Sequence, residues 1–213
     1  NVPPASAKKE IEITLPQNYY GERTNNYVVV NTDEQEFDYP MGEELQTTKY
    51  QGTAGIKLNF LNKVLYSIRE GSFKLLVSGG VNSDSKIIIN RNIMDRVNKI
   101  APFLSYDEDP YAVVVNGKIY YIIDGYTTTK YFPYAEPFNE NANYIRNSFK
   151  VIVDAYNGDV NYYIVDEKDP LVETYSKIFP KLFKPMSDMP KEFISHLRYP
   201  QTMFDIQAKM YGT

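Results

Sequence analysis

The stretch YAVVVNGKIYYIIDGYTTTKYFPY, Tyr111–Tyr134, alternates apolar and aromatic side chains around one Asn-Gly pair. Asn116-Gly117 accepts the positive φ that both central positions of a type I′ turn require, so Tyr111–Val115 and Lys118–Asp124 are predicted to pair as a β-hairpin. A second signal of the same kind follows, with Phe149–Tyr156 and Asp159–Asp166 flanking Asn157-Gly158. In it Phe149, Val151 and Val153 share one face, and Val160, Tyr162 and Ile164 share another. Two hairpins this close predict a single antiparallel sheet of four strands. Asp124-Gly125 reads as the turn that ends the first of them.

Upstream, Asn1–Lys9 reads as a flexible arm because Pro3-Pro4 blocks regular structure. Residues 10–213 are expected to form one domain, with a sub-boundary near 105–110. Glu10–Leu15 (EIEITL) alternates as a half-buried strand, Tyr27–Asn31 (YVVVN) is a second, and Glu36–Pro40 (EFDYP) is an edge strand stopped by Pro40. From Gly55 the period changes to that of a helix. Ile56, Leu61, Val64, Leu65 and Ile68 make an apolar stripe that ends at Gly71. A second helix is predicted over Ser83–Ile100, with Ile89, Ile93, Val97 and Ile100 on one face; Ile87–Ile89 also reads as strand. After Asp169 the chain is read as helical to its end. Asp169 is the cap, Pro170 takes the first turn, and Leu171, Tyr175 and Ile178 form the stripe. Asp188 with Pro190 opens another helix carrying Phe193, Ile194 and Leu197, and Phe204, Gln207, Ala208 and Tyr211 mark the last. Strands segregated from helices define an α+β fold.

Composition narrows the chemistry. The 213 residues carry 23 basic and 27 acidic side chains, and no Lys/Arg block tracks a phosphate backbone, so nucleic acid is not an expected partner. Without cysteine there is no disulfide framework, thiolate metal site or cysteine nucleophile. His196 is the sole histidine, which excludes multi-histidine metal sites. No run approaches the length of a membrane span.

Six positions remain as ligand-binding candidates, and two more as cation ligands. Asp107 and Asp109, in YDEDP, offer hard oxygens that suit calcium, but the spacing of an EF-hand is absent and a solvated acidic loop is the ordinary reading. No other cofactor is predicted. Asp124 and Asp154 lie in strand settings where sheet pairing would make them an acid/base couple; carboxylates at turns and on solvent faces are the commoner case. His196, in ISHLRYP, has no G-x-S-x-G elbow to serve. The glycine pairs Gly52/Gly55 and Gly79-Gly80 complete no phosphate-binding motif. Most of the 20 Tyr and 11 Phe read as sheet interior. Tyr126, Tyr131 and Tyr134 are the exceptions, placed to leave the strand as a stacking surface for a carbohydrate.

Several strings together carry a resemblance: TNNYVVVNTDEQEFDYP (Thr24–Pro40), RNIMDRVNKIAPFLSYDEDPY (Arg91–Tyr111), IIDGYTTTKYFPY (Ile122–Tyr134), NYIRNSFKVIVDAYNGDV (Asn143–Val160) and LFKPMSDMPKEFISHLRYPQTMF (Leu182–Phe204). From about Tyr20 onward the chain resembles the uncharacterised protein family 0182 of bacterial membrane proteins. The resemblance implies several N-terminal transmembrane helices followed by a large soluble region outside the cytoplasm, of which this chain is a segment. Its partners would then be the rest of its own membrane-anchored chain and an envelope component or another membrane protein. The family lends no activity and no catalytic residues, and Ser78-Gly79-Gly80 departs from the more acidic stretch associated with it. The expectation is a binding or structural module at the cell membrane, with a carboxylate-dependent hydrolase of envelope polymers as the alternative.

Overall fold

β-Branched and aromatic residues dominate the middle of the chain, and they build its largest sheet. The computed structural model describes residues 13–41 and 44–212. In chain order it contains β1 (Val28–Val30), β2 (Glu36–Met41), β3 (Glu44–Thr48), β4 (Ile56–Lys57), α1 (Phe60–Arg69), α2 (Lys74–Val77), β5 (Lys86–Ile88), α3 (Ile93–Ile100) and β6 (Ser105–Tyr106). There follow β7 (Tyr111–Val115), β8 (Lys118–Thr129), β9 (Tyr144–Asp154), β10 (Val160–Ile164), α4 (Pro170–Ile178), β11 (Phe183–Pro185), a 3-10 turn at Met186–Asp188, α5 (Lys191–Ile194) and α6 (Gln201–Tyr211). The combination of helices and antiparallel sheets makes the fold α+β.

The main sheet has six strands. β11, β10, β9, β8 and β6 lie in that order, and β7 pairs with the first part of β8 on the edge that β6 occupies further along. At the β7–β8 turn Val115 faces Lys118, and Asn116 and Gly117 have φ of 49° and 75°. Asp124-Gly125 is not a turn. Both residues lie inside β8, which runs on to Thr129 against β9. A Cβ on Gly125 would stand 3.0 Å from that of Phe149, so glycine here allows close approach between strands and does not bend the chain.

The connection from β9 to β10 is longer than a two-residue turn. Asp154 Oδ1 accepts the N–H groups of Tyr156 and Asn157 at 2.7 and 2.9 Å, so the side chain organises an Asx-type loop and Val153 pairs with Val160. Phe149, Val151 and Val153 lie directly opposite Ile164, Tyr162 and Val160, so the two sets share one face.

That face meets α3 and α4 in the principal core, with Ile93, Val97, Ile123, Phe149, Val151, Tyr162 and Val172 buried together. This core draws on residues from both sides of 105–110. The opposite face buries Ile122, Ile152 and Tyr163 beneath Met189 and Phe193. Tyrosine serves the interior. Tyr19, Tyr50 and Tyr156 contact one another with ring centroids 4.7–5.3 Å apart, and the Tyr50 hydroxyl donates to Asn157 Oδ1 at 3.0 Å.

Several predicted elements change. The helix expected over Ser83–Ile100 begins only at Ile93, because Ile87 and Ile88 are buried in β5 between β1 and β4. Ile56 belongs to β4, and Pro40 does not stop β2, which continues to Met41 and pairs with β3. After Asp169 the chain is not all helix, since β11 adds a parallel strand beside β10 and α5 is a single turn. Of the strand expected over 10–15, Leu15 makes one bridge to Lys118 and residues 10–12 lie outside the described residues, as does the N-terminal arm.

Candidate functional site

Strand β8 carries Asp124 and Tyr126 toward one side of the sheet and Gly125 and Thr127 toward the other, as the two-residue period dictates. A register shift between Gly125 and Tyr126 marks a β-bulge there. Polar side chains are buried on both faces beside it.

On the side of Ile122 and Ile152, Asp124 forms an ion pair with Lys150, its register partner on β9. Both side chains are buried. Asn147 Nδ2 donates to the same carboxylate oxygen at 3.0 Å, and Lys150 Nζ donates to the Arg198 carbonyl at 2.9 Å. Next to this pair Asp107 is buried as well. It accepts the Tyr126 hydroxyl at 2.6 Å and the N–H groups of Thr202 and Asp109 at 3.1 Å each. The segment Arg198–Thr202, which leads into α6, is thereby held down on two buried carboxylate centres. Outside the cluster the Arg198 guanidinium lies 3.9 Å from the Tyr111 ring centroid and donates to Asp109 Oδ2 at 2.9 Å.

The two carboxylates respond oppositely to burial. Desolvation pushes Asp124 above the usual carboxylate range, and Lys150 offsets only part of it. Desolvation acts on Asp107 too, but the hydrogen bonds from Tyr126, Thr202 and Asp109 outweigh it and hold that carboxyl below its usual value. The Tyr126 hydroxyl is pushed up, by burial first and by its hydrogen bond to Asp107 second.

On the other face Asp169 is fully buried. It caps α4 by accepting Leu171 N–H at 3.0 Å, accepts the Tyr144 hydroxyl at 2.8 Å and the Ser148 hydroxyl at 2.6 Å, and also bonds Thr127. Burial and then Asp169 push Tyr144 up to about 12. The sequence marks Asp169 as a cap and gives no sign of the three hydroxyl groups gathered on it.

The positions singled out from sequence therefore separate. Asp107 and Asp124 belong to one buried cluster, while Asp109 is exposed on its rim. Asp107 is engaged by Tyr126 and the Thr202 and Asp109 N–H groups, and Asp109 Oδ2 by Arg198; among the described residues no group of three or more acidic or histidine side chains is placed to hold a metal ion. Asp154 pairs with Tyr120 four positions along the register from Asp124, roughly 13 Å away at the strand rise, and its carboxylate organises the loop. Tyr126 is buried, so it cannot stack beside the exposed Tyr131 and Tyr134. His196 is exposed, and its carbonyl accepts the Tyr111 hydroxyl at 3.2 Å.

Lys150, Asn147, Thr202 and Arg198 were not singled out from sequence. A lone lysine inside FKVIVD is the signal the sequence offers, since such a charge needs a buried partner. Two open polar recesses lie elsewhere. One, of about 400 Å³, is lined by Asp33, Glu34, Glu36 and Lys49 among others; the second, of about 130 Å³, lies near Arg69, Glu70 and Arg91.

Among the described residues no helix is long and apolar enough to cross a membrane. The model of the Uncharacterised protein family (UPF0182) matches residues 1–213. A UPF0182 protein of Alkaliphilus metalliredigens is 54% identical over 211 residues, covering 99% of this chain and 23% of the relative's length. One from Clostridium botulinum strain Kyoto is 53% identical over 212 residues, covering 100% and 24%, and one from Pelotomaculum thermopropionicum is 51% identical over 210 residues, covering 98% and 23%. The chain thus spans about a quarter of the length of the curated relatives it matches. No solved structure matches it.

Proposed function

The chain belongs to the uncharacterised protein family UPF0182, and from that premise we propose that it is an extracytoplasmic binding or structural module of a multi-span bacterial membrane protein. The membrane setting rests on the resemblance described above. The structural role rests on one observation. The buried carboxylates Asp107, Asp124 and Asp169 are each committed to partners that fasten one part of the fold to another. Asp107 accepts three internal donors and Asp169 four, which leaves those two carboxylates little capacity for a substrate, and Asp124 is engaged by Lys150 and Asn147.

The hydrolase alternative uses Asp107, Asp109, Asp124 or Asp154 and expects them to converge in one cleft. The burial of Asp107 and Asp124 against the 198–202 segment, with Asp109 exposed and Asp154 four register positions from Asp124, supports the structural reading over it.

The test is topological. Alkaline phosphatase and green fluorescent protein are fused in turn within the full gene, at the position of the exposed Tyr134. Phosphatase activity with no fluorescence is expected. Fluorescence with no phosphatase activity would place the domain in the cytoplasm and end the reading.

A further inference from the structure

Helix α1 is built inside out. Lys63, Tyr66, Ser67 and Glu70, spaced i, i+3, i+4 and i+7, turn toward the protein. Lys63 Nζ donates to the Val81 carbonyl at 2.8 Å, Tyr66 packs on Leu58, Leu75 and Ile87, and Ser67 is buried with its hydroxyl lacking a hydrogen-bond partner. Leu61, Leu65 and Ile68 occupy the other side, about 180° around the helix at 100° per residue. They are 64%, 54% and 74% exposed, and Phe60, at the start of the helix, is 82% exposed. Helix α2 continues the pattern by burying Leu75 while Phe73 and Val77 stand 78% and 80% exposed. A solvated helix of this length would place its apolar stripe inward and its lysine outward, so the arrangement calls for an apolar medium on the outer side.

The chemistry of the face selects that medium. Residues 57–77 hold Lys57, Lys63, Arg69 and Lys74 against a single carboxylate, Glu70, in a chain whose 27 acidic residues outnumber its 23 basic ones. Lys57 and Lys74 are exposed, and so is Arg69, which pairs with Glu70 at 3.4 Å. The exposed apolar residues are Phe, Leu, Ile and Val with no tyrosine, although the chain has 20 Tyr to 11 Phe. Protein interfaces concentrate tyrosine and arginine at their centres. Aliphatic and phenylalanine side chains fringed by cations are the pattern of helices that lie in the headgroup region of an anionic bilayer.

We propose that the outer face of α1 and α2 seats on an anionic phospholipid surface, with Phe60, Leu61, Leu65, Ile68, Phe73 and Val77 entering the interface and Lys57, Arg69 and Lys74 facing the headgroups. The inference deepens the membrane reading above and rests on it. Its test reads lipid contact directly and is independent of the reporter fusions.

A cysteine placed at Leu65 (L65C) gives the chain its only thiol for an environment-sensitive fluorophore. The labelled chain is mixed with vesicles of phosphatidylcholine alone or with added phosphatidylglycerol. A blue shift and co-flotation are expected with the anionic vesicles, weakened by salt. For the unlabelled chain, Leu61→Glu/Ile68→Glu is expected to weaken flotation by about tenfold or more. Lys74→Glu should reduce the preference for phosphatidylglycerol, and Tyr134→Ser should change nothing. Absence of a shift with either vesicle would overturn the proposal, as would flotation insensitive to Leu61→Glu/Ile68→Glu. Protection of the L65C thiol in the detergent-solubilised full-length protein, without lipid binding by this chain, would also overturn it by assigning the cover to another part of the polypeptide.

Discussion

Helices α1 and α3 both begin on an asparagine whose side chain caps the first turn, and both are amphipathic, yet they face opposite ways. α3 buries Ile93 and Val97 completely in the principal core. α1 buries Ser67 and turns Leu61, Leu65 and Ile68 outward. The difference is one of closure. Under α3 the apolar residues Ile93 and Val97 are covered within the chain, and in the Asp124–Lys150 cluster on the other side of the sheet the buried charges have found partners. At α1 the apolar face has found none among the described residues. Substitutions in the closed regions should therefore cost stability, and substitutions on the open face should not.

The closed side is broken most severely at the buried ion pair. Lys150→Met leaves Asp124 buried without its counter-charge and is expected to cost about 3–5 kcal/mol in urea unfolding. The double variant Asp124→Leu/Lys150→Met should recover most of that loss, because no unpaired charge remains. Ile93→Ala, which opens a cavity under α3, is expected to cost roughly 2–5 kcal/mol by the same measurement.

A smaller effect separates the two carboxylates of the cluster. The pKa of Asp107 is lowered in the fold, so its stabilisation is complete above the unfolded value of about 4 and is lost as pH falls through the folded value. Asp107→Asn should flatten acid unfolding below about pH 4, at a cost near neutrality of about 1–3 kcal/mol. An unchanged acid limb would mean that Asp107 does not hold the 198–202 segment through its charged form.

How much of this was legible in the sequence follows from what each signal encodes. Asn116-Gly117 states a backbone requirement, and the chain meets it with positive φ at both residues. Asp169-Pro170 states a helix start, and α4 begins there. The stripe Leu61, Leu65, Ile68 announces a helix, but periodicity gives two faces without saying which is inward. That choice was made by the packing of Tyr66 and the reach of Lys63 to Val81. The buried cluster was harder to see, because Asp124-Gly125 is written like a turn. The glycine answers to Phe149 across the sheet, and Lys150 and Thr202 are 26 and 78 residues beyond Asp124. Contacts made through pairing and chain return leave no local mark.

The contrast between the closed and open regions is tested most directly by the urea midpoint of Leu65→Glu/Ile68→Glu beside that of Ile93→Ala. The open face predicts that the double variant stays within about 0.5 kcal/mol of the parent chain while Ile93→Ala falls well below it. A loss in Leu65→Glu/Ile68→Glu as large as that in Ile93→Ala would show that α1 packs its apolar face inside this chain, and the contrast would not stand.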